Sequence, residues 1–359
     1  MSTIHRVPPG VRHTVLALLL FVPLLTAAMG SPTAMAQDAL VVTMVTDTAG
    51  LGDQNFNDLA KRGLDRAAAE LGITPEVIES QEAADYVPNL TQAAEQSDLT
   101  VGVGFLLTDA ITAVAAQYPD DKFLLIDSAP TEDLPNVTSA LFREQEGGFL
   151  GGVVAGLMTT TDKVGILGGQ DIPPVERYEV GFRAGVLSVA PEVEVAITYT
   201  DTFGDPALGK EQSLALYSQD NDIIFPIAGA TGIGTFEAAK ETENAFVIAA
   251  DADQSHLGPE QQLCVVTKGV DTAVFAASQQ IVDDAFEGGI LDLGLANDGM
   301  GLITPGDYVP AEVLAVVEQY RQAIADGSLT VPATRAELEA FEPVAMGSPA
   351  ASPEASPAA

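Results

Sequence analysis

The chain has 359 residues, of which 47% are hydrophobic and none is tryptophan, a length that suits one large domain or two medium ones. Its 51 acidic and 15 basic residues give a formal net charge of −36, and such a surface repels nucleic acids and anionic membranes. The composition therefore argues against nucleic-acid binding, and we expect two lobes with their own cores.

The first 36 residues match a secretory signal peptide. Arg6 and Arg12 precede the apolar run Val15 to Leu25, and the small-residue site Ala34-Met35-Ala36 follows. The apolar run is too short to span a membrane, and the residue directly after the cleavage site is not a cysteine. We expect an exported protein in the periplasm or at the cell surface, without a lipid anchor or stable membrane insertion.

Removal of this segment leaves one histidine, His256, and one cysteine, Cys264. A zinc site usually needs several histidine or cysteine ligands, and a nucleophilic triad needs a histidine base beside its nucleophile. Cys264 lies in an apolar run typical of a buried strand. We therefore expect no metal, no other cofactor and no catalytic residues.

From Val41 to about Gly269, short apolar runs alternate with longer amphipathic stretches, a pattern typical of βαβ units and parallel sheets. The pattern repeats about halfway, so it predicts two Rossmann-like α/β lobes. The predicted strands are Val41–Thr46, Val77–Ser80, Thr100–Gly104, Phe123–Asp127, Val137–Phe142, Val164–Gly168, Val193–Thr200, Ile223–Ala228, Phe246–Asp251 and Cys264–Lys268. The predicted helices are Asn57–Leu71, Asp109–Gln117, Gly147–Thr160, Val175–Val189, Leu208–Ser218, Thr235–Glu243, Thr272–Phe286 and Ala311–Ala325.

Both predicted lobes are discontinuous in sequence. We expect the first to contain residues 37–143 plus about 268–296, and the second to contain residues 144–267 plus about 297–331. Residues 347–359 are rich in serine, proline and alanine and have too few apolar groups to form an ordered structure. This composition predicts a disordered tail.

Polar residues and glycines follow the predicted strands directly, which is where ligands bind in doubly wound sheets. The first strand ends in a glycine-rich turn from Asp47 to Asn57, and an exposed aromatic such as Phe56 has no local structural role there. A lone strand-end aspartate is more often a helix or turn cap than a ligand contact. The later strands and turns, however, supply a whole set: Asp127, Phe203, Gly229, Asp251 and Lys268.

This set suits a neutral ligand that carries hydroxyls and an aromatic ring. Carboxylates accept hydrogen bonds from paired hydroxyls, and a buried lysine can donate while partly neutralising the acids. Phenylalanines can stack on a flat ring, and a glycine lets the backbone approach the ligand closely. The residue types therefore favour a binding site over a catalytic one.

In these stretches the sequence resembles the basic membrane protein family of ABC-transporter solute-binding proteins, whose best-known members bind purine nucleosides. The resemblance runs from about Val41 to Gly301. The pieces that carry it are Asp47-Thr-Ala-Gly-Leu-Gly-Asp-Gln-Asn-Phe-Asn57, Phe149-Leu-Gly-Gly-Val-Val-Ala155, Val164-Gly-Ile-Leu-Gly-Gly169, Phe203-Gly-Asp-Pro206, Ala228-Gly-Ala-Thr-Gly-Ile-Gly234 and Asp251-Ala-Asp-Gln254.

The resemblance implies a type I periplasmic-binding-protein fold with a central ligand cleft, working as a monomer that delivers its ligand to an ABC permease and its ATPase. It also implies that Asp47 and Asn57 contact the ligand from the first lobe and that Asp127 bonds the edge of the base.

By the same resemblance, Phe56 and Phe203 stack on the two faces of the base. Asp251 and Lys268 hold the ribose hydroxyls, and Gly229 lines the pocket. The sequence departs from the family at Gln54 and Asn55, where the family usually has lysine and then serine.

Three alternatives stay open. The same fold can bind a sugar or another small metabolite, because one scaffold hosts many specificities. The protein can also be a receptor that senses its ligand without transport. A nucleoside hydrolase is a weaker alternative, because its calcium motif ends in two adjacent aspartates and this chain has Gln54 after Asp53.

Overall fold

The computed structural model describes residues 39–346. The predicted signal peptide and the predicted tail lie outside the described residues. The strands are β1 Val41–Val45, β2 Thr74–Ile78, β3 Leu99–Gly102, β4 Phe123–Ile126, β5 Val137–Phe142, β6 Lys163–Gly168, β7 Glu194–Tyr199, β8 Ile223–Ile227, β9 Phe246–Asp251, β10 Gln262–Lys268, β11 Gly289–Leu293 and β12 Met300–Ile303. The α-helices are α1 Phe56–Leu71, α2 Tyr86–Gln96, α3 Thr108–Gln117, α4 Glu144–Met158, α5 Pro173–Val189, α6 Pro206–Tyr217, α7 Ile233–Glu241, α8 Val270–Val282, α9 Ala311–Ala325 and α10 Arg335–Glu339.

The strands form two six-stranded sheets with matching strand orders. The first sheet runs β2-β1-β3-β4-β5-β11 and is parallel throughout, and the second runs β7-β6-β8-β9-β10-β12, with only β12 antiparallel to its neighbour. In each sheet the order of the first five strands is that of a doubly wound α/β fold. The predicted fold class, two α/β lobes, is confirmed; each sheet with its helices is called the first or the second lobe below.

Helices cover both faces of each sheet, which is why central strands such as β1 and β4 are almost entirely apolar and buried. In the first lobe α1 and α8 pack together on one face, and α2 and α3 cover the other. In the second lobe α6 and α7 lie on one face, and α4, α5 and α9 lie on the other.

The α4 and α5 helices approach each other unusually closely. A Cβ atom placed on Gly152 would lie 2.0 Å from the carbonyl oxygen of Phe182, and one on Gly181 would lie 2.1 Å from that of Gln145. Only glycine fits at such contacts. This packing fixes α5, whose N-terminal end contributes to the site described below.

The chain passes between the lobes three times, after β5, after β10 and after β11. Side chains tie these crossings together. Arg143, at the first crossing, bonds Asp292 at 2.6 Å and Glu146 at 3.1 Å. Glu146 in turn accepts from the backbone N–H of Leu295, at the third crossing, at 2.8 Å.

Each predicted strand and helix is present close to its expected position, whereas α2, α10, β11 and β12 were not predicted. The β2 strand begins at Thr74 rather than Val77, because it is an edge strand whose first three residues are exposed. The α2 helix gives a weak sequence signal, because about half of its residues are polar and Pro88 lies in its first turn. The α8 helix ends at Val282, before the predicted Phe286. Among the helices within residues 39–346, none has the length and apolar character needed to cross a membrane.

Candidate ligand-binding site

A cavity with about 580 Å³ of empty space, part of it continuous with solvent, lies where the carboxyl ends of strands from both lobes meet. All eight predicted site residues line it. Asp47, Phe56, Asn57 and Asp127 come from the first lobe; Phe203, Gly229, Asp251 and Lys268 come from the second sheet and the turns that follow its strands. The structure thus brings the whole predicted set together, while their contacts with a ligand stay a prediction.

The first-lobe wall is organised by the carboxylate of Asp53. Its Oδ1 accepts from the backbone N–H groups of Asn55 and Asp58, at 3.0 and 3.1 Å, and its Oδ2 accepts from the Asn57 backbone at 2.7 Å. Burial raises the pKa of Asp53 to about 6, although these N–H donors favour the charged form. Asp53 therefore caps α1 and sets the position of Phe56, the first residue of that helix.

Asn57 joins the two acids of this wall. Its Nδ2 donates to Asp47 Oδ1 at 2.9 Å and to Asp53 Oδ2 at 3.1 Å. Asn57 Oδ1 is buried and has no hydrogen-bond partner among the described residues. An unpaired buried acceptor is costly, so this oxygen is available for a donor on a ligand.

Phe56 and Phe203 line the cavity from opposite lobes, and glycines make room for their rings. A Cβ on Gly169 would lie 2.3 Å from the Phe203 ring, so any other residue there would displace that ring. Gly229 has a φ of 54°, a left-handed conformation that favours glycine, and its Cβ would lie 3.2 Å from the Phe203 carbonyl oxygen.

A buried ion network lies at one end of the cavity. Lys268, whose side chain is 2% exposed, donates to Asp127 Oδ2 at 2.7 Å and to Glu144 Oε1 at 2.9 Å. Glu144 is fully buried and also accepts from Arg177 Nε at 2.5 Å. The network links the first lobe, two crossing segments and α5.

The protonation of this network follows from its surplus of acids. Burial raises the pKa of Asp127 to about 7, against the opposing effect of the Lys268 ammonium. Burial by itself lowers the pKa of Lys268, but Asp127, Glu144 and Asp251 together raise it above its ordinary value. Lys268 therefore stays charged at neutral pH, whereas the raised pKa of Asp127 brings the titration of that carboxyl close to neutrality.

Asp251 is the last residue of β9 and has a φ of 62°, similar to the 69° of Asp127 after β4. Its Oδ1 accepts from the hydroxyl of Tyr178 at 2.6 Å. Burial raises the pKa of Asp251, and both Lys268 and the Tyr178 hydrogen bond oppose that shift. The carboxylate thus has one oxygen bound by protein, while the other is free of protein partners in the described residues.

The site residues on α4 and α5 were not predicted from the sequence, because the predicted residues come only from strand ends and the turns that follow them. Tyr178 lines the cavity, and Arg177 and Glu144 support it; Glu144 is the first residue of α4, and the other two lie in the second turn of α5. One signal was available: Glu144 and Glu146 open a long helix that is glycine-rich and apolar after its first three residues, where a buried acid needs a partner.

Comparisons with known proteins agree on one group. The model of the family described as ABC transporter substrate-binding protein PnrA-like matches residues 40–335. The chain is 36% identical to a CD4+ T-cell-stimulating antigen of Listeria monocytogenes over 81% of this chain and 87% of that protein. It is 34% identical to the ABC transporter nucleoside-binding protein BmpA of Lactococcus lactis, over 82% and 89%. A solved solute-binding protein of an ABC transporter system from Aeropyrum pernix matches with a TM-score of 0.77 and 31% identity, over 84% of this chain and 96% of that chain.

Proposed function

Because the chain belongs to the PnrA-like family of ABC transporter substrate-binding proteins, we propose that it captures a purine nucleoside between its lobes and delivers it to a permease. The observation that carries this proposal is that Phe56 and Phe203, from opposite lobes, line one cavity together with Asp251 and Lys268. Two phenylalanines suit a flat base, and an acid beside a lysine suits the hydroxyls of a ribose.

The charge of the cavity supports a nucleoside rather than a nucleotide. Asp47, Asp53, Asp127 and Asp251 all line it, and Lys268 is the one basic residue among the described lining residues. Lys268 already bonds two carboxylates, so a phosphate would meet a surplus of negative charge in a poorly solvated site. The neutral donors of a nucleoside, its hydroxyls and amino groups, match these acceptors.

The first-lobe wall offers hydrogen-bond acceptors for the base of the nucleoside. Asn57 Oδ1 lacks a partner, and Asp127 accepts only from Lys268 among the described residues. A purine presents ring N–H or amino donors along one edge, and these two acceptors can form hydrogen bonds with those donors. The name of the Lactococcus lactis relative, a nucleoside-binding protein, agrees with this assignment.

We further propose that the protein acts outside the cytoplasm as a monomer, with residues 1–36 as its signal peptide and a permease and ATPase as its partners. It binds without turnover, so the purified protein releases no free base from inosine or adenosine. Release of hypoxanthine from inosine would contradict this.

The test is a thermal unfolding screen of the mature protein, stripped of ligand by unfolding and refolding. The panel holds inosine, guanosine, adenosine, uridine, hypoxanthine, D-ribose and D-galactose. A ligand that binds only the native state increases the free energy of unfolding, by about 2.7 kcal/mol at a hundred times its Kd. The thermal midpoint then rises. We expect purine nucleosides to raise it, and ribose and hypoxanthine alone to do so weakly or not at all. If only galactose raised the midpoint, or if no compound did, the nucleoside assignment would be overturned and the fold would be unaffected.

A further inference from the structure

We infer that Tyr178 is a positioning residue, which holds the Asp251 carboxylate so that only its Oδ2 faces the ligand hydroxyls. The identity of the ligand rests on the proposed function, whereas the contact between Tyr178 and Asp251 does not depend on it. The Tyr178 hydroxyl donates to Asp251 Oδ1 at 2.6 Å, a short bond of the kind formed by a charged acceptor.

Tyr178 is itself held rigidly. It is 2% exposed, and its ring meets that of Phe225 edge-on with centroids 5.6 Å apart. A Cβ on Gly148 of α4 would lie 2.6 Å from the Tyr178 carbonyl oxygen, so the helix contact leaves its backbone no room to shift. A donor fixed on a helix can thus orient the carboxylate of an acid at the end of a strand.

The electrostatics around Asp251 give Tyr178 a second effect. The charged and titratable groups that face the carboxylate are Lys268 from β10, Glu144 from α4, Asp127 from the end of β4, and Tyr178 itself. Burial and Asp251 raise the pKa of Tyr178 well above its ordinary value, so the phenol stays a donor throughout the physiological range. Because this hydrogen bond lowers the pKa of Asp251, its loss would make the carboxylate harder to ionise.

The test variant is Tyr178→Phe, which keeps the ring and removes only the donor. The control is Tyr217→Phe, whose hydroxyl donates to the neutral backbone carbonyl of Phe246 at 2.9 Å, away from the cavity. In calorimetry we expect inosine to bind Tyr178→Phe about tenfold or more weakly than wild type, as for a lost hydrogen bond to a charged group. Binding of 2′,3′-dideoxyinosine is expected to be equal in the two proteins, and Tyr217→Phe is expected to bind inosine normally.

A measurement without ligand separates this inference from the proposed function. Since the Asp251 pKa is raised in the fold, its ionisation destabilises the protein as pH rises, and removing the Tyr178 donor increases that loss. The midpoint deficit of Tyr178→Phe relative to wild type is expected to be about 3 °C larger at pH 8 than at pH 4.5. The deficit of Tyr217→Phe is expected to be the same at both.

The outcomes then divide cleanly. If wild type binds no nucleoside, the proposed function fails, and the pH dependence of the two deficits still decides the positioning role. If the Tyr178→Phe deficit is equal at both pH values, or if inosine binds that variant within twofold of wild type, Tyr178 is only a packing residue.

Discussion

His256 Nε2 lies 2.7 Å from Gln54 Oε1, and this hydrogen bond joins the turn after β1 in the first lobe to the turn after β9 in the second. Both side chains are exposed, so the contact forms at the outer edge of the site. The same turns supply Asp53 and Phe56 on one side and Asp251 on the other. Because the two turns belong to different lobes, this bond is lost if the lobes separate.

We expect this contact to slow the release of ligand. Replacing either Gln54 or His256 with alanine removes one exposed hydrogen bond, worth about 0.5–1.5 kcal/mol, so the dissociation rate should rise about two- to tenfold. Stopped-flow displacement of bound inosine measures that rate, and the double variant should add little because both changes break the same bond. The matched control is Gln279→Ala, whose amide donates to Asp283 at the C-terminal end of α8. An unchanged rate in both single variants would show that the contact does not contribute to closure.

The aromatic walls give a second prediction. Stacking of a base on an aromatic side chain is worth about 1–3 kcal/mol, so Phe56→Ala and Phe203→Ala should each weaken inosine binding by about 5- to 150-fold. Phe275→Ala is the control, because that ring lies under Arg66 on the outside of the first lobe. Titration calorimetry with inosine distinguishes the three. Normal binding by both cavity variants would mean that the base does not lie between these rings.

The strand-end residues of the site could be predicted because parallel strands place their carboxyl ends at one edge of a sheet. Asp127, Asp251 and Lys268 each end a buried strand or follow it directly, so an apolar run that closes on a charged residue was enough to find them. Phe56 was found for a different reason: it is a large aromatic in a polar turn.

The supporting residues could not be predicted in the same way. The sequence shows that α5 is a helix but not how it is rotated, so it does not show that Tyr178 reaches Asp251 or that Arg177 reaches Glu144. These contacts depend on the close packing of α4 and α5, which is set by tertiary structure. Asp53 was noticed only as part of the turn from Asp47 to Asn57. Both of its carboxylate oxygens accept hydrogen bonds from the backbone that carries Phe56 and Asn57.

A third prediction separates binding from stability within the ion network. Lys268→Met would leave Asp127 and Glu144 without their shared buried cation, a loss of about 3–5 kcal/mol and about 10 °C in Tm. Asp251→Asn instead relieves the cost of a buried charge, so Tm should stay the same or rise while inosine affinity falls at least about tenfold. Calorimetric scans and inosine titrations of both variants test the contrast. Equal losses of stability would contradict the separate roles.

The acids of the cavity predict that the ligand-free protein is most stable at mildly acidic pH. Burial raises the pKa of Asp53 to about 6 and that of Asp127 to about 7, so the folded state holds their protons more tightly than the unfolded chain does. Their stabilising effect is complete below pH 4 and is lost as pH rises through these values; the shift of Asp53 alone corresponds to roughly 3 kcal/mol. Acids with lowered pKa values, such as Glu179, lose their contribution only at still lower pH.

Thermal midpoints should therefore fall from pH 5 to pH 8, whereas inosine affinity, which needs ionised acceptors, should rise over the same range. Midpoints that are flat or that increase with pH would mean that these carboxylates are already ionised in the fold at pH 5.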